Sequence, residues 1–443
     1  MAEDEEERVL DTIVVGGGIA GLTAAYRLRD RDILLLEKEE IPGGRTVSRK
    51  LGPYVYNAGA QVILGDTSPL ARLADELDVK RTLIAKSKLP FFTNGKLYSA
   101  SGQIGLLRKL PMSLADKLRF AWFSLRLKRK YGSLADKPFD PKDPKIIELN
   151  STTVDQFLGS VPRSVRDLWE VFAVVATTTG GDVVTPYHPL MVLLFFLEDE
   201  YFVEGGTNQL TIALCRMLGE KAKLGAEVVE VKELDDGVQV TYDLDGARKT
   251  AKARQCVMAT QAPITLKVVQ DLPDWKRDAL ARMEYGSMTT AAFLLSEPSE
   301  RFLGKGVWRV PVQGQMICAL TDPSYTYPRE FKEETGQGLL RVYTGDKVSK
   351  ELMGRSDGEV AETLIDDLVA MLPQIKGKVV ESDVAHWYHA LPLWKPGHDA
   401  IYSNLQASTG RIHYCGDYTG PGFMNGSVLT AYRVVEEIEK AQV

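Results

Sequence analysis

The stretch TIVVGGGIAGLTAAYRLRDRDILLLEKEEIPGGRTVS, residues 12–48, sets out a strand, a glycine turn, a helix, a second strand ending in an acid, and a glycine-arginine loop. Residues 12–15 are a short apolar strand run, and Gly16, Gly18 and Gly21 follow at G-x-G-x-x-G spacing. In such a turn the first glycine reverses the chain tightly, the second lets backbone N–H groups approach a pyrophosphate, and the third lets the helix lie close to the sheet. Residues 20–28 supply small and apolar side chains at helical spacing, with the positive end of the helix dipole aimed at the phosphates. Residues 33–36 make the second strand, and Glu37 follows the glycines by about 20 residues, where an acid accepts hydrogen bonds from a ribose diol. A glycine turn between strand and helix can be purely structural, but the complete series reads as a dinucleotide site. An acid at position 37 repels a 2′-phosphate, so FAD or NAD fits better than NADP.

Working outward, 443 residues suffice for two domains, each with its own core. Hydrophobic residues at 44% and charged residues at 26% describe an ordinary globular chain. A net charge of −6 gives nucleic-acid binding no support, because such domains are usually basic. Residues 3–7, Glu-Asp-Glu-Glu-Glu, read as an acidic, disordered tail. There is no apolar leader and no apolar run long enough to span a bilayer, so the expectation is a cytoplasmic protein. Cys215, Cys256, Cys318 and Cys415 are widely spaced, which argues against disulfides and against a metal site.

After the glycine-arginine loop, Asn57, Gly59, Ala60 and Gln61 form a small-residue segment. It reads either as a close approach to a flat ring system or as an ordinary tight loop. FFTNGKLYSASG reads as a hairpin turning at Asn94-Gly95. Residues 106–131 carry eight basic residues against Asp116, with Leu118, Phe120, Trp122, Phe123, Leu125 and Leu127 interleaved. They predict one basic amphipathic helix, touching a membrane surface, guarding an entrance for a greasy substrate, or simply exposing a solvated basic face. PLMVLLFFL at 189–197 predicts a buried helix. Gly205-Gly206 opens a helix running to residue 218, strands follow at 226–231 and 238–242, and RQCVMATQAP adds a core strand at 255–260.

Three blocks in this order, GGGIAGLTAAYRL with the acid-ended strand and GGRTVS, EGGTNQLTIALCRML with AEVVEV, and CGDYTGPGFMNGSVLTAYR, resemble the FAD-dependent amine oxidoreductase superfamily. That group includes monoamine and polyamine oxidases, protoporphyrinogen oxidase and carotenoid desaturases. The resemblance implies an α/β fold: a doubly wound, Rossmann-like FAD-binding domain at 8–85, 203–284 and 386–443, with an inserted α+β substrate domain at 86–202 and 285–385. It implies FAD contacts at Gly16, Gly18, Ile19, Ala20, Gly21, Glu37 and Lys38, and at Gly43, Gly44, Arg45, Gly59, Ala60 and Gln61 near the flavin. Val228 would hold the adenine through its backbone, while Gly416 and Asp417 would meet the ribityl and phosphate region. Asp417 by itself also suits a strand-end turn. Phe423, Met424 and Asn425 would begin a helix aimed at the flavin pyrimidine, where a helix N-terminus favours negative charge.

Three departures from the pattern bear on chemistry. The lysine that amine oxidases of the group carry after a glycine-serine pair is replaced, in Tyr285-Gly286-Ser287-Met288-Thr289-Thr290, by Thr290. The covalent-flavin cysteine of monoamine oxidases is also missing from HWYHALPLWKPGHDAIYSNL, so the resemblance implies non-covalent FAD. Phe423 stands where one of two cage tyrosines is usual, leaving a cation sandwich unestablished. The expected activity is dehydrogenation of a C–C or C–N bond of a hydrophobic small molecule, closer to protoporphyrinogen oxidases and desaturases than to amine oxidases, with dioxygen or another acceptor taking the electrons. The alternatives are a flavin-dependent isomerase without net redox change, an amine oxidase lacking the usual lysine, and a non-catalytic nucleotide-binding scaffold. His398, His389, Trp394 and Thr290 are the candidate catalytic residues, and each histidine reads either as an acid-base group or as a packing or surface residue.

Overall fold

The structure, a computed structural model, describes residues 8–85, 87–134, 139–195 and 199–440. The acidic tail at 1–7 and positions 196–197 of the apolar run lie outside the described residues. Val9–Val15 sits at the centre of a seven-stranded sheet between Ile33–Leu36 and Ala247–Met258, parallel to both. Ala222–Lys223 extends the sheet beside Ile33–Leu36, and Ile412–Tyr414 pairs in parallel with the end of Ala247–Met258. Val238–Leu244 and Glu227–Glu233 complete it as antiparallel strands.

The parallel registers Val15↔Leu36 and Val15↔Met258, with Met258↔Tyr414, bring four strand ends to one edge, where nucleotides bind in open α/β sheets. The central strand shows why the sheet has two covered faces. Val14 packs with helices Ile19–Arg27, Asn208–Leu218 and Phe423–Lys440 on one side, while Ile13 and Val15 pack on the other with helices Ala262–Val268 and Asp399–Gln406.

A second sheet is wholly antiparallel, in the order Arg309–Pro311, Ile317–Thr321, Gly338–Thr344, Tyr285–Leu295, Val379–Pro392. Helix Asp357–Met371 covers one face through Val360, Leu364 and Leu368. The opposite face meets the hairpin Ser48–Leu51 and Tyr54–Asn57 and the small-residue segment after it. Val379–Pro392 pairs with Tyr285–Leu295 as far as Pro392, so residues 386–392 stand in this sheet, and a boundary drawn at 386 cuts through a strand. A third body is helical, with Leu114–Tyr131, Arg163–Thr177 and Tyr187–Phe195 closing around Trp169.

Several local expectations need correction. The basic segment is two helices, Gln103–Lys109 and Leu114–Tyr131. Pro111 forces Leu110 into an extended conformation, ψ 144°, and Ser113 then caps the second helix by accepting from the Asp116 N–H. Gly205 and Gly206 form the turn before helix Asn208–Leu218 rather than its first residues. The strand expected at 255–260 begins at Ala247 and ends at Met258.

Candidate active site

The glycine turn lies at the sheet edge, and each glycine meets a different surrounding. Gly16 takes φ +108°, and a Cβ there would stand 2.9 Å from the Ala259 carbonyl oxygen. A Cβ on Gly21 would lie 1.9 Å from the Gly16 carbonyl oxygen, so the helix crosses the strand at a distance only glycine permits. Gly18 has open space where its Cβ would be, and it precedes helix Ile19–Arg27, whose N-terminus no side chain caps. Ile19 and Ala20 fill the first turn with buried side chains and leave its backbone N–H groups to serve the groove.

The loop around Gly43 closes over this turn. The Gly43 N–H donates to the Gly17 carbonyl at 2.8 Å, and a Cβ on Gly44 would make ordinary contact with the Gly18 Cα at 3.6 Å. Glu37 is buried and accepts the Gly17 N–H at 2.5 Å and the Glu39 N–H at 2.9 Å. Lys38, beside it, is exposed and pairs with Glu39. Val228 lies at an irregularity in the pairing of Glu227–Glu233 with its neighbour, where the ladder shifts before Glu230.

Arg45 joins two segments 372 positions apart. Its guanidinium donates to both Asp417 carboxylate oxygens, at 2.7 and 2.9 Å, and to the Ala390 carbonyl at 2.9 Å. That pairing holds the guanidinium above its ordinary range despite the cost of burial. The Ala60 N–H donates to the Arg45 carbonyl at 2.9 Å, and a Cβ on Gly59 would come within 1.9 Å of the same oxygen. The Gln61 carbonyl accepts from the Asn57 amide at 2.8 Å. At the C-terminal block, the Gly416 N–H donates to Thr430 Oγ1 at 3.0 Å. Phe423 has φ +57°, Met424 packs into the core behind the helix, and Asn425 Oδ1 accepts the Leu70 N–H at 3.1 Å, capping another helix.

The four candidate catalytic residues occupy two places. The Thr290 hydroxyl is buried and donates to the Ala58 carbonyl at 3.3 Å. The same oxygen accepts from Trp387 Nε1 at 3.0 Å and Arg341 Nη2 at 2.6 Å, so three donors from the second sheet fix the segment that leads to Gly59. His389 lies beside Arg45 on the strand that carries Ala390. The Gln261 amide donates to the His389 carbonyl at 3.0 Å, which turns Gln261 Oε1 toward His389 Nδ1 at 3.1 Å. Nδ1 therefore carries the proton and Nε2 keeps its lone pair. Burial, aided by Arg45, holds the imidazole below its ordinary pKa.

Trp394 and His398 belong instead to a buried aromatic stack. Their rings lie 4.5 Å apart at 22°, Tyr187 also stacks on Trp394 at 5.3 Å, and His188 meets Trp394 edge-on at 4.7 Å. Burial lowers His188 to about 4 and His398 to about 3, so both are neutral near pH 7. His188 Nε2 donates to the Pro421 carbonyl at 3.1 Å, and the ring stands 5.6 Å from Phe423, tying the stack to the C-terminal block.

Sequence reasoning missed Arg341. It is fully buried and donates to Ala58, Gly59 and the Tyr343 hydroxyl, and its partners are carbonyls and a phenol rather than a carboxylate. An arginine within GLLRVYT gives no local signal beyond strand alternation.

The donor-rich helix end, the open side of Gly18, the acid at the end of the second strand and the small-residue segment fit a dinucleotide with a flat ring. A family profile described as "Flavin containing amine oxidoreductase" matches residues 19–439. The "Probable flavin-containing monoamine oxidase A" of Dictyostelium discoideum is 25% identical over 470 residues, covering 97% of this chain and 97% of its own. "Protoporphyrinogen oxidase 1, chloroplastic" of Arabidopsis thaliana is 20% identical over 95% of this chain and 85% of its own. Among solved structures, wild-type putrescine oxidase bound to putrescine superposes with a TM-score of 0.81 at 18% identity, over 98% of this chain and 100% of that one. Cyclohexylamine oxidase from Brevibacterium oxydans IH-35A gives 0.78 at 19% identity over the same shares. The fold is thus that of the flavin amine oxidases, and with the profile spanning nearly the whole sequence, the chain belongs to the flavin containing amine oxidoreductase family, an FAD-dependent oxidoreductase.

Proposed function

We propose that the protein dehydrogenates a C–C or C–N bond of an uncharged, hydrophobic small molecule, with non-covalently held FAD and with dioxygen or another acceptor taking the electrons. When bound, FAD supplies hydride acceptance. The observation that carries this reading is Thr290. Where amine oxidases of the group carry a lysine, this chain places a buried hydroxyl spent on the Ala58 carbonyl, which can neither hold nor take a substrate proton.

The remaining parts agree with that chemistry. The Arg45–Asp417 pair and the three donors on Ala58 fix the approach segment, so orientation comes from backbone held in place. The wall at Pro421 and Phe423 is backed by Trp394 and two neutral histidines, so it is aromatic and carries no carboxylate of its own to pair with a substrate ammonium. His389, whose Nδ1 is taken by Gln261 and whose imidazole feels the Arg45 charge, takes the role of proton acceptor through Nε2. Cys256 and Cys415 lie in the sheet core, and Cys318 faces the Tyr343 carbonyl, with all three thiols raised by burial.

The Dictyostelium relative, alignable along 97% of both chains, favours a second reading, an amine oxidase that dispenses with the lysine. Anaerobic titration of the flavin-loaded protein with porphyrinogen, polyene, polyamine and aromatic amine panels separates the two. Bleaching of the flavin band by porphyrinogens or polyenes is the expected result; bleaching by amines alone overturns it in favour of the second reading.

A further inference from the structure

Helix Leu114–Tyr131 has two apolar stripes. Phe123, Leu127 and Tyr131 face inward, where Phe123 and Tyr131 pack against Phe157 and Trp169. Leu114, Leu118, Trp122 and Leu125 recur at intervals of four, four and three residues, so they share the opposite face. Their exposures are 76, 64, 63 and 54%, and Ile104 on the preceding helix is exposed to 72%. A contiguous row of large apolar side chains in water calls for a partner.

The flanks of the row say which kind. At about 100° per residue, Lys117 and Lys128 fall to one side and Arg119 and Arg126 to the other, while Arg129 continues the row by one turn. Asp116 is the only acid in 106–131, and it is committed to Ser113, Ser164 and Arg119. Arg108, Arg126, Lys128 and Arg129 have no carboxylate partner among the described residues, and Arg126 lies over the Trp122 ring at 5.6 Å. This local excess of positive charge stands in a chain whose net charge is −6.

From this geometry we infer that the helix lies in the plane of an anionic lipid surface, with Leu114, Leu118, Trp122 and Leu125 in the acyl boundary and the flanking cations at the headgroups. A second copy of the chain fits the row badly, since two-fold packing would set the basic flanks of one copy, Lys117, Lys128, Arg119 and Arg126, against the basic flanks of the other. Unlike a membrane span, the helix inserts sideways, and among the described residues no helix is long and apolar enough to cross a bilayer.

The test is co-sedimentation of the flavin-loaded full chain with vesicles of phosphatidylcholine, alone or mixed with phosphatidylserine. The wild type is expected to sediment with the mixed vesicles, less so as salt is raised, and with its tryptophan fluorescence quenched by brominated acyl chains. The double variant Leu118→Gln/Trp122→Gln removes two exposed side chains that make no core contact, so its flavin spectrum and circular dichroism should match the wild type. Its partitioning should fall at least about tenfold. Failure of the wild type to sediment with either vesicle, or equal binding by the double variant, overturns the inference. So does a wild-type dimer in sedimentation velocity that the double variant dissolves, which would assign the row to a second copy.

Discussion

Lowering the pH from about 7 to about 4.5 puts the buried aromatic stack under a defined load. His188 is held to about 4, chiefly by burial, with the Pro421 hydrogen bond and Asp417 pulling the other way. In the unfolded chain the same group titrates near its ordinary value of about 6.5. Above that value both states are neutral and the group contributes no pH dependence. Between about 6.5 and 4 the unfolded chain takes a proton that the folded one refuses, so stability falls as the pH falls, and the loss levels off below 4. At about 1.4 kcal/mol per pH unit, the loss from His188 reaches about 2.5 kcal/mol at about pH 4.5. His398 pulls in the same direction, but Asp322, raised to about 6 by burial, favours the folded state as acid is added. The raw pH profile therefore mixes opposing contributions, and the informative quantity is a difference. Urea unfolding followed by circular dichroism, at saturating FAD, should be run on wild type and His188→Gln, whose amide keeps a donor for the Pro421 carbonyl. The stability gap between them should shift in favour of the variant by about 2.5 kcal/mol between the two pH values. A gap that is constant within about 0.5 kcal/mol would show that His188 is not held neutral by burial.

The glycines at the sheet edge give a contrasting pair. Gly21→Ala should yield colourless protein that takes up no FAD, because its Cβ would meet the Gly16 carbonyl oxygen at 1.9 Å. Gly18→Ala, with nothing within 4 Å, should melt within about 1 °C of the wild-type apoprotein yet bind FAD more weakly, as read by isothermal titration. Asp417→Asn leaves the Arg45 guanidinium without its carboxylate and should cost about 2 kcal/mol in urea unfolding, with earlier flavin release on heating. Thr290→Val removes the weakest of three donors to Ala58, so kcat should change by less than about threefold, and a hundredfold loss would place the hydroxyl in the chemistry instead.

The glycine turn was legible because its physics is local. Gly16, Gly18 and Gly21 act on atoms a few residues away or one strand over, and spacing alone conveys their roles. The break between the two basic helices was equally local, written in Pro111 and in Ser113 ahead of Asp116, although the run of basic residues obscured it. Arg341 was illegible for the opposite reason. Its acceptor on Ala58 is 283 positions away, and a carbonyl oxygen carries no residue signature. The same holds for the stack, in which His188 and Trp394 come from different bodies of the fold. The expectation that Trp394 and His398 would act on substrate came from their neighbourhood in the chain, whereas packing buries them behind the C-terminal block.

Arg45 meets Asp417 across 372 positions, and the central strand is framed by neighbours as distant as Ala247–Met258. On the ribosome, strand Val9–Val15 with its turn and helix is made before the far half of its own sheet. At about 5–20 residues per second, roughly 20–70 s pass between synthesis of the arginine and of the aspartate that clamps it. The cofactor cradle therefore closes only after residue 417 has been made, and nascent chains shortened before residue 417 should retain no flavin. During that interval the exposed edge of Val9–Val15 is open to pairing with other chains, so cellular yield should depend on chaperone capacity and on riboflavin supply at the moment of release.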